Sequence, residues 1–146
     1  GIDKEFISSG RLDNLLSTLI GVDSLISSSD NVESCESINI LSCFDNEEVG
    51  SLSGQGADST VFYNFLKRVF KKLSGDMDNY KDSFIAACGT TIGPIINANT
   101  GIKTVDIGIG CFAMHSIRET ASTVDCYHYF NLMSSFYNSN CTDYSI

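Results

Sequence analysis

Ile38-Asn39-Ile40-Leu41-Ser42-Cys43-Phe44 runs into Asp45-Asn46-Glu47-Glu48-Val49-Gly50, and on this junction the reading of the fold turns. The apolar run from Ile38 to Phe44 predicts a buried strand, ended by an acidic turn. Successive side chains of an extended segment point to opposite sides, so Glu47 and Glu48 can face different atoms of one site. One carboxylate can then bind a metal while the other handles a proton. A solvated Glu-Glu pair at a strand end is the ordinary alternative.

Working outward, glycines 50, 54 and 56 punctuate a turn whose spacing is neither a dinucleotide fingerprint nor a phosphate loop. Phe62, Phe65, Leu66, Val69, Phe70 and Leu73 then predict a helix over about 59–74. Its last turns carry Lys67, Arg68, Lys71 and Lys72, which suits the negative end of the helix dipole and reads as a solvated face. Upstream, residues 27–37 are rich in Ser, Asp, Asn and Glu and predict a loop. Before them Leu12, Leu15, Leu16, Leu19 and Ile20 fall on one helical face, with Asp13 in the first turn off the stripe.

Downstream, 75–82 is polar and predicts a turn, and Ser83 to Ala87 opens like a strand. It meets Cys88-Gly89-Thr90-Thr91-Ile92-Gly93-Pro94, where a proline just inside a helix marks its start. Free N–H groups at such an end can hold a carboxylate or a developing oxyanion. Ile102 to Ile109 predicts another strand, Ala113 to Glu119 a turn or helix, and 123–139 a last helix. Strands alternating with helices point to an α/β sheet with flanking helices, in one domain of 146 residues.

The net charge is −9 and the pI about 4.4, which argues against nucleic acid and anionic membranes as partners. No run of about 18 apolar residues and no basic-then-apolar start is present, so neither a membrane span nor a secretory leader is expected. The six cysteines (35, 43, 88, 111, 126 and 141) form no Cys-x-x-Cys pair. Most of them read as reduced and packed, in a cytoplasmic protein. Asn140-Cys141-Thr142 matches a glycosylation sequon, a pattern that arises easily by chance.

Of two histidines, His128 falls inside the last helix and reads as a surface or packing residue, whereas His115 lies in a polar loop beyond a strand. An imidazole with two carboxylates makes a mixed N/O donor set typical of catalytic zinc. Asp13, Glu48 and His115 can supply those ligands, and Glu47 the base. Spacing alone leaves that choice open among 18 acidic residues.

Asp45-Asn46-Glu47-Glu48-Val49-Gly50-Ser51 with Gln55-Gly56-Ala57 resembles the signature of the aspartyl aminopeptidases, a family of two-zinc metallopeptidases. Ser9-Gly10-Arg11-Leu12-Asp13-Asn14-Leu15 resembles an upstream metal-binding segment of that family. Cys88 to Ile96 with Asn99 to Asp106, and Ala113-Met114-His115-Ser116-Ile117-Arg118-Glu119, resemble two further blocks, in the family's order. The resemblance implies release of N-terminal Asp or Glu from peptides. It implies Asp13 as a bridging carboxylate, Glu47 as general base, Glu48 and His115 as ligands of one zinc, and Gly89, Thr90, Thr91 and Gly93 beside the substrate. It also implies a homo-oligomer.

The departures bear on that expectation. The family is several times longer. Its N-terminal part with a metal-binding His, its inserted dimerisation domain, and an Asp-x-Ala-His block are not found here. The gap is expected at about 87/88, so that the chain reads as a partial catalytic domain with ligands for only one zinc complete. The competing expectation is a catalytically impaired fragment or paralogue that binds at most one metal or associates with full-length subunits.

Overall fold

The apolar run over 38–44 does not form the expected strand. In the computed structural model, which describes residues 1–30, 37–44, 53–54, 56–73, 85–88 and 92–139, this run is irregular. The Asn39 side-chain amide donates to the Tyr137 carbonyl at 2.6 Å. Leu41 lies so close over Gly21 that a Cβ there would meet its Cδ1 at 3.2 Å. Ile38 is left 64% exposed, and Cys43 is exposed instead of packed. Hydrophobicity in this run is spent on helices, not on a sheet.

The elements in chain order are β1 (Phe6–Ser9), α1 (Leu12–Ser28), α2 (Thr60–Leu73), β2 (Ile85–Cys88), α3 (Ile92–Thr100), β3 (Lys103–Asp106), β4 (Cys111–Phe112), β5 (Glu119–Ser122) and α4 (Thr123–Asn138). This α/β chain divides into two compact units, Gly1–Ser42 with Gly108–Ile146, and Cys43–Ile107.

In the first unit a three-stranded antiparallel sheet has the order β1-β5-β4. Phe6 pairs with Ser122 and Ser9 with Glu119, while Cys111 pairs with Ala121. Along β5 the inward residues are Glu119 and Ala121, and Thr120 and Ser122 are half-buried, as the period of two requires. Ser122 caps α4 by accepting from the Asp125 amide at 3.3 Å. Helices α1 and α4 pack together, burying Ile20, Met133 and Tyr137.

The leucine stripe of α1 is only partly the buried face. Leu15 and Leu19 are each 57% exposed, whereas Gly21, Ser24 and Ser28 are buried. Ser24 is fully buried, its hydroxyl directed at the Phe130 carbonyl at 3.4 Å. Small residues let the two helices approach, so the contact face is rotated from the leucines onto them.

In the second unit β2 and β3 pair in parallel, Ile85 opposite Lys103 and Cys88 opposite Asp106, with α3 between them in sequence. Pro94 stands in the first turn of α3, where its missing N–H costs nothing. The helix ends at Gly101, which has φ 70° and donates to the Asn97 carbonyl at 2.8 Å. Asn97 in turn donates to Ile102 O at 2.9 Å, and Thr100 Oγ1 accepts from the Ile102 amide at 3.1 Å. Among the described residues of this unit, Ala57, Leu66, Ile96 and Ile102 are the buried apolar ones. On α2, Lys67 sits 4.1 Å over the Tyr63 ring, and Arg68, Lys71 and Lys72 are exposed, as expected of a solvated face. The turn expected at 75–82 lies outside the described residues. Among those described, no helix is long and apolar enough to cross a membrane.

Candidate functional site

Of the residues singled out in the sequence, Glu47, Glu48, Gly89, Thr90 and Thr91 lie outside the described residues. Asp13, His115 and Gly93 lie within them.

Asp13 and His115 are brought together although 102 positions separate them. Asp13 opens α1, directly after the β1 strand and a turn through Gly10 and Arg11. Its backbone is extended, with φ −82° and ψ 113°, so its carboxylate projects from the helix start and not from a helical face. His115 sits on the 113–118 connection between β4 and β5. That connection is tight: Ser116 N donates to Ala113 O at 3.0 Å, and Ser116 Oγ donates to Arg118 O at 2.7 Å. Ala113 and His115 both take left-handed backbone, φ 53° and 69°. For residues with a Cβ that conformation costs roughly 1–2 kcal/mol each. The two loops touch at Gly10, where a Cβ would lie 3.1 Å from the Ile117 carbonyl.

In this arrangement His115 Nε2 lies 3.2 Å from Asp13 Oδ2. The Asp13 side chain is 27% exposed and His115 61%, so the pair opens to solvent. Asp13 also lines a pocket with Leu12, Leu16, Cys111, Met114 and Ala121. Two ligands bound at about 2.0–2.2 Å to a tetrahedral zinc lie about 3.4 Å apart. The donor types of this pair suit a zinc ion, and the separation, which admits one, is also that of a direct imidazole–carboxylate contact. Among the described residues no group of three or more candidate ligands occurs.

Sequence reasoning missed Glu119. Its side chain is 2% exposed, and both carboxylate oxygens accept backbone N–H groups. Oε2 accepts from Asp13 N at 2.8 Å and Oε1 from His115 N at 2.6 Å. The Asp13 amide, then the His115 amide, hold its pKa below the usual carboxylate value, outweighing the opposing effect of burial. The available signal was an acid four residues beyond the histidine, opening the otherwise neutral strand Glu-Thr-Ala-Ser. The same charges act on Cys111. Burial first, then Glu119 and Asp13, raise its thiol pKa against the lowering effect of the Thr120 backbone.

In the second unit Gly93 is buried in the first turn of α3, and a Cβ there would overlap the Asp106 carboxylate. Glycine is what permits this approach, and the acid lying at the helix start is the chain's own Asp106. His128 is exposed on α4, its ring 5.8 Å from that of Tyr127, in keeping with a surface residue.

The sequence model of a family described as Aminopeptidase I zinc metalloprotease (M18) matches residues 1–87 and 77–137. The chain is similar to the probable M18 family aminopeptidase 2 of Ectopseudomonas mendocina, with 33% identity over 207 aligned positions that cover 95% of this chain and 47% of that one. Those 207 positions exceed the chain's 146 residues, so the relative carries residues inside the matched span that this chain lacks. The chain spans about half the length of the curated relatives it matches. Among solved structures it resembles the crystal structure of yeast aminopeptidase 1, with TM-score 0.72 and 23% identity over 94% of this chain and 48% of that one. It also resembles the S. cerevesiae mApe1 dodecamer, with TM-score 0.74 and 22% identity over 94% and 46%. At those identities the two structures speak for the fold.

Proposed function

This chain belongs to the M18 family of aminopeptidase I zinc metalloproteases, and on that premise we propose that it is a zinc-dependent aminopeptidase releasing N-terminal Asp or Glu from peptides. The observation that carries the reading is the Asp13–His115 pair, a carboxylate oxygen and an imidazole nitrogen 3.2 Å apart at a solvent-open site. Asp13 and His115 would hold the metal together with Glu48. When bound, zinc supplies Lewis acidity that makes water a competent nucleophile near neutral pH. Glu47 takes the proton of the attacking water and returns it to the departing amine. By the family resemblance Gly89, Thr90, Thr91 and Gly93 would lie beside the peptide. Free thiols at Cys43, Cys111 and Cys126 support a reducing, cytoplasmic setting. The dodecameric neighbour supports self-association.

A second reading rests on the shortfall inside the matched span. The family matches overlap at 77–87, in keeping with a missing internal segment near 87/88; on this reading the ligands of only one zinc are complete. The chain then binds at most one metal and turns over weakly, or joins full-length subunits.

One experiment decides between them. The chain is loaded with zinc, the metal per chain is measured, and cleavage is followed on short peptides beginning with Asp, Glu or Ala. The proposed activity requires release of Asp and Glu but not Ala. Glu47→Gln should keep the zinc and lose roughly 10²–10⁴-fold of the rate. One zinc without turnover favours the impaired reading, and a folded chain that takes up none removes the metal site altogether.

A further inference from the structure

We propose that Glu119 is the positioning residue of the metal site: one buried carboxylate ties together the two loops that present Asp13 and His115. This rests on the reading of those two residues as ligands.

The geometry demands a group with two acceptor oxygens. The amides of Asp13 and His115 point at one planar group from either end, at 2.8 Å and 2.6 Å. They belong to loops more than a hundred residues apart in sequence, and Glu119 reaches both from the first position of β5. Among the described residues no Lys or Arg pairs with this carboxylate. Its buried charge is met by backbone donors, an arrangement that a neutral side chain cannot reproduce. A glutamine of the same size has one acceptor and one NH₂, and the NH₂ would face an N–H of one loop or the other.

The clamp also holds His115 in its left-handed backbone, φ 69°, since the clamped amide belongs to that residue. Each hydrogen bond is thus made to the main chain of a residue whose side chain would hold the metal. Releasing either one changes the separation of Oδ2 from Nε2, now 3.2 Å. Supporting contacts of this kind, one step out from the ligands, typically set metal affinity by 10–100-fold.

Two measurements test the proposal. Cobalt(II) alone is titrated into the full chain, with the visible absorption read well below the melting temperature, for wild type, Glu119→Gln, Glu119→Asp and His115→Ala. The expected result is binding by wild type, about 10–100-fold weaker binding by both Glu119 variants with an altered band shape, and none by His115→Ala. In parallel, amide hydrogen exchange is followed on the metal-free wild type, which needs no variant to fold. The Asp13 and His115 amides should be protected although the His115 side chain is 61% exposed. Rapid exchange of both amides overturns the clamp while leaving the ligand assignment standing. Undiminished cobalt affinity in folded Glu119→Gln does the same. Failure of the wild type to bind cobalt, or unchanged binding by His115→Ala, overturns the ligand assignment and the positioning role with it.

Discussion

The loop pair that carries Asp13 and His115 and the β2-α3-β3 segment that carries Gly93 are built in opposite ways. In the first, the residues that meet are distant in sequence and are joined by one acidic side chain to two main chains. In the second, Asn97, Thr100, Gly101 and Ile102 close the helix end through bonds that span two to five positions. The first depends on a long-range tie and three left-handed residues that carry a Cβ, Arg11, Ala113 and His115. The second depends on local capping and a buried isoleucine. Substitutions should therefore act on chemistry in the first region and on stability in the second.

The largest effect separates these two outcomes directly. His115→Ala and Asp13→Ala each remove a donor from a pair 3.2 Å apart. Each should lower zinc affinity by at least about 100-fold, the upper end of what loss of even a supporting contact costs. The melting temperature of the metal-free chain should stay nearly the same, because both side chains are partly exposed. Competition against a chromogenic chelator reads the first quantity and circular dichroism the second. A large fall in melting temperature would mean that the pair is structural.

In the second region Ile102→Ala should show the reverse pattern. Ile102 is 2% exposed beneath the helix end, and truncation there should cost about 2–5 kcal/mol. Urea unfolding at 25 °C measures it. A loss under 1 kcal/mol would show that the site collapses readily and that the local bonds dominate.

The contrast can be sharpened through pH. Glu119 has its pKa lowered by the Asp13 and His115 amides. A depressed carboxylate contributes stability that is fully present above its unfolded value, about 4.3, and is lost as pH falls through the lower folded value. The stability gap between wild type and Glu119→Gln should therefore be widest at neutral pH and should close below about pH 4. Unfolding curves at pH 7, 5 and 3 check this. A gap independent of pH would mean that the carboxylate charge is not what holds the loops.

A smaller change tests local capping. Gly101 has φ 70° at the end of α3. Gly101→Ala places a Cβ in the left-handed region and should destabilise by about 1 kcal/mol, visible as a shift of the urea midpoint at constant slope.

The same contrast explains what could be read from the sequence. The helices announced themselves because their signals are local. The spacing predicts 59–74 and 123–139, and the helices run Thr60–Leu73 and Thr123–Asn138. Pro94 marked the start of α3 in the same way. The strands β1, β4 and β5 gave no such signal. Phe-Ile-Ser-Ser, Cys-Phe and Glu-Thr-Ala-Ser are short; β1 meets β5 across more than a hundred residues, and β4, which pairs with β5 locally, is only two residues long. The run at 38–44 shows the converse error, since apolar composition alone did not distinguish a strand from a segment lying on helices. Asp13 and His115 were legible through resemblance to a family's blocks. Glu119 was not, because its role exists only once β1 and β5 pair and two backbone amides converge on it.

The smallest expected effect lies at the edge of the loop pair and reads its charge without disturbing it. Cys111 is half-buried in β4 and shares the pocket that Asp13 lines. Its thiol pKa is raised by burial and by the nearby charges of Glu119 and Asp13. The thiolate is the nucleophile, so a raised pKa lowers reactivity at neutral pH. Iodoacetamide at pH 7.5 should therefore label Cys111 more slowly than the exposed Cys43, with the difference narrowing as pH rises past about 9. Neutralising one source of charge, by Asp13→Asn, should bring a modest increase in the Cys111 rate and leave Cys43 as it was. Peptide mass mapping over a time course separates the two cysteines. If Cys111 reacts as fast as Cys43 in the wild type, its side of the sheet is open to solvent, and the negative field assigned to the Asp13–Glu119 corner is too weak to matter there.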